Sequence, residues 1–229
     1  MSVLLLVRHG QASFGAKDYD ALSRVGHEQA QVLGAALAAR GVVPVRVVRG
    51  AMRRHEGTAT EVVAAAGWDL APQVDEGWDE FDHQRVIEAH RPAYRNRTLM
   101  KADLARTLKP MRAFRDMFDQ AVARWVTGEH DGDYPESFSD FAARVRAALL
   151  RTMEGMPDSG LTVVVTSGGP VAVVAADLLA GDLSAWARFN RVTVNTGVTK
   201  VVSGGSGLSC VSFNDHAHLD HDRRLLTYR

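Results

Sequence analysis

The residues best equipped for chemistry sit almost at the start of the chain, in Arg8-His9-Gly10. The imidazole of His9 is a possible nucleophile or proton carrier, and the guanidinium beside it can fork onto the oxygens of an anion. Gly10 lets backbone approach a bound group with no side chain in the way. A second cationic group follows in Arg53-Arg54-His55-Glu56-Gly57-Thr58-Ala59. A third segment, Thr166-Ser167-Gly168-Gly169-Pro170, combines hydroxyls with two glycines. If it opens a helix, it presents free N–H groups to an anion. Cations, an imidazole and backbone donors together describe one site for a phosphate.

Each of the three needs a strand to position it, and each has one. Leu4-Leu5-Leu6-Val7 is an apolar run that reads as a buried strand and ends at Arg8. The β-rich stretch Val45 to Val48 precedes Arg53, after which Val62, Val63 and Ala66 carry a helical pattern. Leu161 to Val165 is another buried-strand run, followed by the glycine pair and an Ala/Val-rich helix with Pro170 in its opening turn. Three strand ends carrying functional groups match the place where open α/β sheets collect ligands.

The remaining punctuation completes the layout. Ser23 is placed to cap a helix through Ala30, Leu33 and Leu37, with Gly41 as its stop. The helix after Arg54 ends near Gly67. Between Glu80 and Pro135 the sequence loses β character, and Met111, Phe114, Phe118 and Val122 recur at helical spacing. Ser137 is placed to cap a long helix through Phe141, Val145 and Leu149. Val198–Ser203 and Leu208–Phe213 flank a Gly/Ser-rich turn and read as a hairpin. The expected fold is α/β: three layers, α/β/α, around a central mostly parallel sheet. The 229 residues form a single domain, with 81–135 as an inserted helical cap.

Together these segments resemble the histidine phosphatase superfamily, the group that includes the phosphoglycerate mutases, over nearly the whole chain. Arg8-His9-Gly10 matches the family signature, in which the histidine takes up a phosphoryl group. Tyr19-Asp20-Ala21-Leu22-Ser23 and Gly26-His27-Glu28-Gln29-Ala30 look like the segment that starts the first helix. Arg54 falls where the family has its second phosphate-binding arginine, although the doubled Arg53-Arg54 leaves that register open by one. Glu80, within Trp78-Asp79-Glu80-Phe81-Asp82, looks like the proton-donating glutamate. Pro135 to Phe138 and Asn195 to Thr199 resemble a later helix start and the penultimate strand.

Two positions depart from the family pattern. Ser167 stands where the family usually has a second histidine that stabilises the phosphoryl group, so one uncharged hydroxyl takes that place. Losing a charge-assisted contact there costs on the order of 2–4 kcal/mol of transition-state stabilisation if nothing replaces it. Gly15 stands where many relatives have a phosphate-touching asparagine, and Gln11 and Ser13 are candidates to serve instead. His83, just past Glu80, is a candidate replacement for the missing histidine.

The implied chemistry is a phosphomonoesterase. His9 attacks phosphorus in its neutral form, Arg8 and Arg54 grip the non-bridging oxygens, and Ser167 and Gly168 add donors. Glu80 protonates the leaving oxygen and then activates water against the phosphohistidine. The scheme calls for no cofactor and no metal. Its expected substrate is a small phosphorylated metabolite. One alternative is a phosphoglycerate-type mutase, against which the Glu80 region lacks the expected Glu-Arg-x-Tyr-Gly-type run. The other is a phosphate-ligand binding or regulatory protein impaired at Ser167.

Composition agrees with this. Lys plus Arg and Asp plus Glu are each 27, so no global charge draws in nucleic acid or an anionic membrane. Cys210 is the sole cysteine, which excludes an internal disulfide and suits a reducing, cytoplasmic compartment. The run Val3 to Val7 is too short for a signal-peptide core or a membrane span. His216, His218 and His221 among Asp215, Asp220 and Asp222 read as a polar terminus rather than a metal site. Arg91, Arg95 and Arg97 read as solvated charge.

Overall fold

The computed structural model describes residues 1–13 and 20–228. Gly15 and Tyr19 therefore lie outside the described residues. The elements run β1 (Ser2–Arg8), α1 (Arg24–Ala39), β2 (Arg46–Arg49), α2 (Arg53–Ala66), β3 (Gln73–Val74), α3 (His83–His90), α4 (Arg97–Ala105) and α5 (Pro110–Val126). They continue with α6 (Phe138–Glu154), β4 (Leu161–Thr166), α7 (Gly168–Ala175), α8 (Trp186–Val192), β5 (Val198–Gly204) and β6 (Gly207–Asp215). The chain divides into two compact units, Met1–Glu80 with Arg144–Arg229, and Phe81–Ala143.

The first unit is built on a six-stranded sheet in the order β3-β2-β4-β1-β5-β6. β1, β2, β3 and β4 are mutually parallel, whereas β5 pairs antiparallel with β1 and β6 antiparallel with β5. The α/β architecture is thus a mixed, mostly parallel sheet flanked by helices. Leu5, Val7, Val47, Val163 and Val165 point to one face and pack with Ala30, Leu33 and Leu37 of α1 and Ala59 and Val62 of α2. Leu4, Leu6 and Val164 alternate to the other face and are equally buried. α7 is buried along its whole length and meets β1. A strand buried on both faces reads as a continuous apolar run, which is why these segments stand out.

Register decides what lies beside what. Val7 pairs with Val165 and Arg8 with Thr166, while Arg49 also pairs with Val165. The carboxyl ends of β1, β4 and β2 therefore finish level, and the segments that follow them start at one place.

Local signals set the boundaries. The Ser23 hydroxyl accepts from the Gly26 N–H at 3.1 Å and caps α1. α2 stops at Gly67 in the left-handed conformation, φ +67°. Ser137 and Asp140 cap each other at the start of α6. β5 and β6 form the expected hairpin, with strand beginning at Val198 rather than at Asn195.

In the second unit α5 buries Met117, Ala121 and Trp125. Phe114 and Phe118 are partly buried, whereas Met111 is exposed. The apolar stripe is rotated from the one expected, because Trp125 sets its edge. Trp125 lies among Phe81, Phe138 and Phe141 at centroid separations of 4.7, 5.1 and 5.5 Å. Arg91 folds onto Tyr94, its guanidinium 5.3 Å from the ring centre. Arg97 hydrogen-bonds Gln84. Among the described residues no helix is long and apolar enough to cross a membrane.

Candidate active site

The site forms where β1, β2 and β4 end. His9 follows β1 and is buried; its own N–H donates to Thr166 O at 2.8 Å and its carbonyl accepts from the Asn195 amide at 2.9 Å. The ring Nδ1 lies 2.7 Å from Gly10 O. A carbonyl only accepts, so Nδ1 carries the proton and, in the neutral ring, Nε2 keeps its lone pair. Burial holds His9 well below the ordinary histidine pKa, and the charges of Arg54 and Arg8 and the neighbouring His55 add to the effect. The Gly10 hydrogen bond pulls only weakly the other way. The result is a neutral imidazole with one unprotonated nitrogen of fixed identity.

The loop that carries His9 is fastened from behind. Gly10 N–H donates to Thr58 Oγ1 at 3.0 Å, and Thr58 in turn donates to Arg54 O at 2.7 Å. Gln11 N–H donates to the fully buried Gln29 at 2.8 Å. Gln29 then donates to Thr227, and Thr227 to the Asn195 oxygen. One chain of hydrogen bonds thus joins both sides of the loop, and its buried members are satisfied as burial demands.

Two arginines stand by His9. Arg8 donates to Thr193 O and, at 2.7 Å, to Tyr228 O, and its guanidinium runs beside Gly168. Of the doubled pair, Arg54 is buried and its charge bears on His9, whereas Arg53 is exposed. Arg54 Nη1 pairs with Asp20 at 2.7 Å, while its buried Nε has no hydrogen bond. Of the Gln11 and Ser13 side chains, the first accepts from Ser23 at 2.8 Å. The Ser13 hydroxyl donates to Leu22 O at 2.9 Å and is spent on its own loop.

β4 delivers Ser167 and Gly168. Ser167 occupies the N-cap position of α7 but makes no capping hydrogen bond. Glu80 caps instead, its carboxylate accepting from the Gly169 N–H at 3.1 Å. The acid expected from the sequence is thereby brought to the same helix end as Ser167. The loop bearing it is tied to β4 by Thr166, which donates to Trp78 O at 2.5 Å.

The group on Ser167 is His55. Its Nε2 lies 2.7 Å from Ser167 Oγ, and both residues are fully buried. On the other side of the ring, Nδ1 stands 3.5 Å from Asp79 Oδ1, an ion-pair distance, with no hydrogen bond of its own. His83, the candidate replacement in the sequence, is the first residue of α3. That His55 faces inward was legible in principle, although its partner was not. Thr58, Ala59 and Val62 mark the buried face of α2, and stepping back four residues from Thr58 and Ala59 lands on Arg54 and His55. Of the terminal histidines, His218 folds against Thr196, Nε2 to Oγ1 at 3.1 Å.

The fold gathers two histidines, two arginines, a serine and a glutamate around the strand ends, and the comparisons give the chain a family. The profile of the histidine phosphatase superfamily (branch 1) matches residues 4–103 and 106–216, so the chain belongs to that superfamily. Among curated proteins none matches by sequence. Among solved structures, a mutant phosphoserine phosphatase from Entamoeba histolytica in complex with phosphoserine is similar at TM-score 0.66 and 16% identity, covering 96% of this chain and 100% of that one. Phosphoglycerate mutase from Bacillus anthracis gives TM-score 0.63 and 17% identity, covering 95% of each chain. A mycobacterial glucosyl-3-phosphoglycerate phosphatase with inorganic phosphate gives 0.60 and 22%, covering 94% and 98%. At these identities the likeness is one of fold.

Proposed function

We propose that this chain is a phosphomonoesterase that hydrolyses a small phosphorylated metabolite through a phosphohistidine on His9. The observation that carries the reading is the fixed tautomer. Nδ1–H is committed to Gly10 O, and a neutral Nε2 stands beside two arginines. In-line transfer needs a nucleophile, held charge and a proton for the leaving oxygen. His9 is the nucleophile. Arg8 and Arg54 hold the phosphoryl oxygens, with the unpartnered Nε of Arg54 among the donors. Glu80 gives its proton to the departing alkoxide and later takes one from the water that cleaves the P–N bond. Family membership and the phosphatases among the similar structures support this reading. The scheme needs no metal, and a cytoplasmic location fits the single cysteine.

The test is release of phosphate from p-nitrophenyl phosphate, followed by a screen of phosphorylated metabolites. Acid-quenched enzyme given labelled substrate should carry acid-labile phosphate. His9→Ala should be folded, inactive and unlabelled. Label retained in that variant would sink the assignment. Transfer of label to an acceptor hydroxyl, without release, would make the chain a mutase. Tight phosphate binding with no turnover would make it a binding protein.

A further inference from the structure

We propose that Asp79, His55 and Ser167 form one relay that stands in for the missing phosphate-facing histidine, with His55 taking up a proton when an anion docks. The proposal rests on the reading that a phosphoryl group docks at His9. It starts from geometry: Asp79 Oδ1 to His55 Nδ1 is 3.5 Å and His55 Nε2 to Ser167 Oγ is 2.7 Å, a chain of contacts from the Asp79 loop through the first turn of α2 to the residue that follows β4.

Three features show that the line is built rather than incidental. Ser167 sits at a helix N-cap, where serine ordinarily bonds the helix backbone, yet its hydroxyl goes to His55. The Asp79 carboxylate is itself aimed, accepting from the Ala51 N–H at 2.7 Å. Gly50 passes where a Cβ would run into both His55 Nδ1 and Asp79 Oδ1, so only glycine lets the pair close.

Proton positions follow from the donors available. Before an anion docks His55 is neutral, because burial depresses its pKa more than Asp79 raises it, and Arg54 adds to the depression. One ring proton cannot serve both neighbours. With it on Nδ1 toward Asp79, Nε2 accepts from Ser167 and the hydroxyl turns away from any anion. A phosphoryl dianion reverses the balance. With protons on both nitrogens, Nδ1–H faces Asp79 and Nε2–H donates to Ser167 Oγ. The hydroxyl proton is then free for a phosphoryl oxygen, and the positive charge that the family's second histidine supplies is restored one residue further back. Asp79, Arg54, Asp20 and His9 are the charged or titratable groups facing His55, and an incoming dianion chiefly offsets Arg54. Ser167 is the catalytic donor; His55 and Asp79 are positioning residues acting through it.

Tungstate, a tetrahedral dianion that stays deprotonated across neutral pH, is the probe. Calorimetry in buffers of different ionisation enthalpy reads proton uptake beside affinity. His9→Ala serves as background, so that the nucleophile's own titration drops out. Binding in that background should take up protons at pH 7, and adding His55→Asn should abolish the uptake. Ser167→Ala should weaken tungstate about ten-fold. Adding His55→Asn to Ser167→Ala should change affinity by less than about two-fold, since the relay is already cut. Should His55→Asn fail to fold, Asp79→Asn, at a partly exposed position, reads the same loss of uptake. A tie that merely fastened α2 to β4 would lower Tm in these variants and leave uptake unchanged. Unchanged uptake, or additive losses of affinity, would overturn the relay. Tungstate that does not bind wild-type protein would overturn the phosphate site itself, and the relay with it.

Discussion

Two adjacent arginines show how much one residue of register decides. Arg54 lies on the buried face of α2 and contributes to holding His9 neutral, whereas the Arg53 backbone N–H binds Asp20 at 2.8 Å and its side chain is exposed. Arg54→Ala should therefore cost on the order of 2–4 kcal/mol in kcat/KM, while Arg53→Ala stays near wild type. Equal losses in the two variants would place both guanidinium groups on the substrate. His9 has its own signature. Because His9 titrates well below the ordinary histidine range, it stays neutral as pH falls through 6.5. The acid limb of kcat/KM should lie below that value, and a limb centred at 6.5 or above would show that burial does not keep the ring unprotonated.

At the scale of elements, the site depends on backbones passing closer than side chains allow. Gly10 and Gly26 face each other across the join between the His9 loop and the first turn of α1. A Cβ on Gly26 would collide with the backbone of Gln11, and one on Gly10 with the backbone of Gly26. Neither neighbour is a flexible side chain that could yield. Gly26→Ala should lose about 3 kcal/mol in chemical denaturation, above the usual cost of a surface change. A loss under about 0.5 kcal/mol would mean that the join opens without penalty. The strands behind this join were legible, because β1, β2 and β4 are buried on both faces and announce themselves as apolar runs. His9 was legible for the same reason, since it follows such a run, and Arg54 to within one residue, as half of the doubled Arg53-Arg54. The partner of Ser167 was not. Which strand ends meet depends on the order β2-β4-β1, a product of crossovers between distant segments, and nothing in the local sequence states that β2 lies beside β4. His83 is near Glu80 in sequence, but His55 is the imidazole that the sheet order brings to Ser167.

For the whole molecule, buried imidazoles tie stability to pH. Burial lowers the pKa of His9, His55 and His218, the last to about 4. His218 is faced by Thr196, Asp215, Arg40, His216 and Asp220; the two carboxylates pull its pKa up but do not offset burial. The sign follows from proton counting. An unfolded histidine titrates near 6.5, so between the folded and unfolded values the unfolded chain binds more protons, and stability falls as pH falls. Above about 6.5 these groups are neutral in both states and the contribution is complete; it is lost progressively below. His218 alone carries about 3 kcal/mol across the window from about 6.5 down to about 4. Tm should therefore hold steady from pH 8 to 7 and drop steeply below 6. His218→Gln removes one of the three groups, and its loss of Tm relative to wild type should shrink as the pH is lowered. A wild-type Tm that is flat from pH 7 to 5 would mean that these histidines take up protons in the folded state as readily as in the unfolded one. The neutral His9 on which the chemistry rests would fall with them.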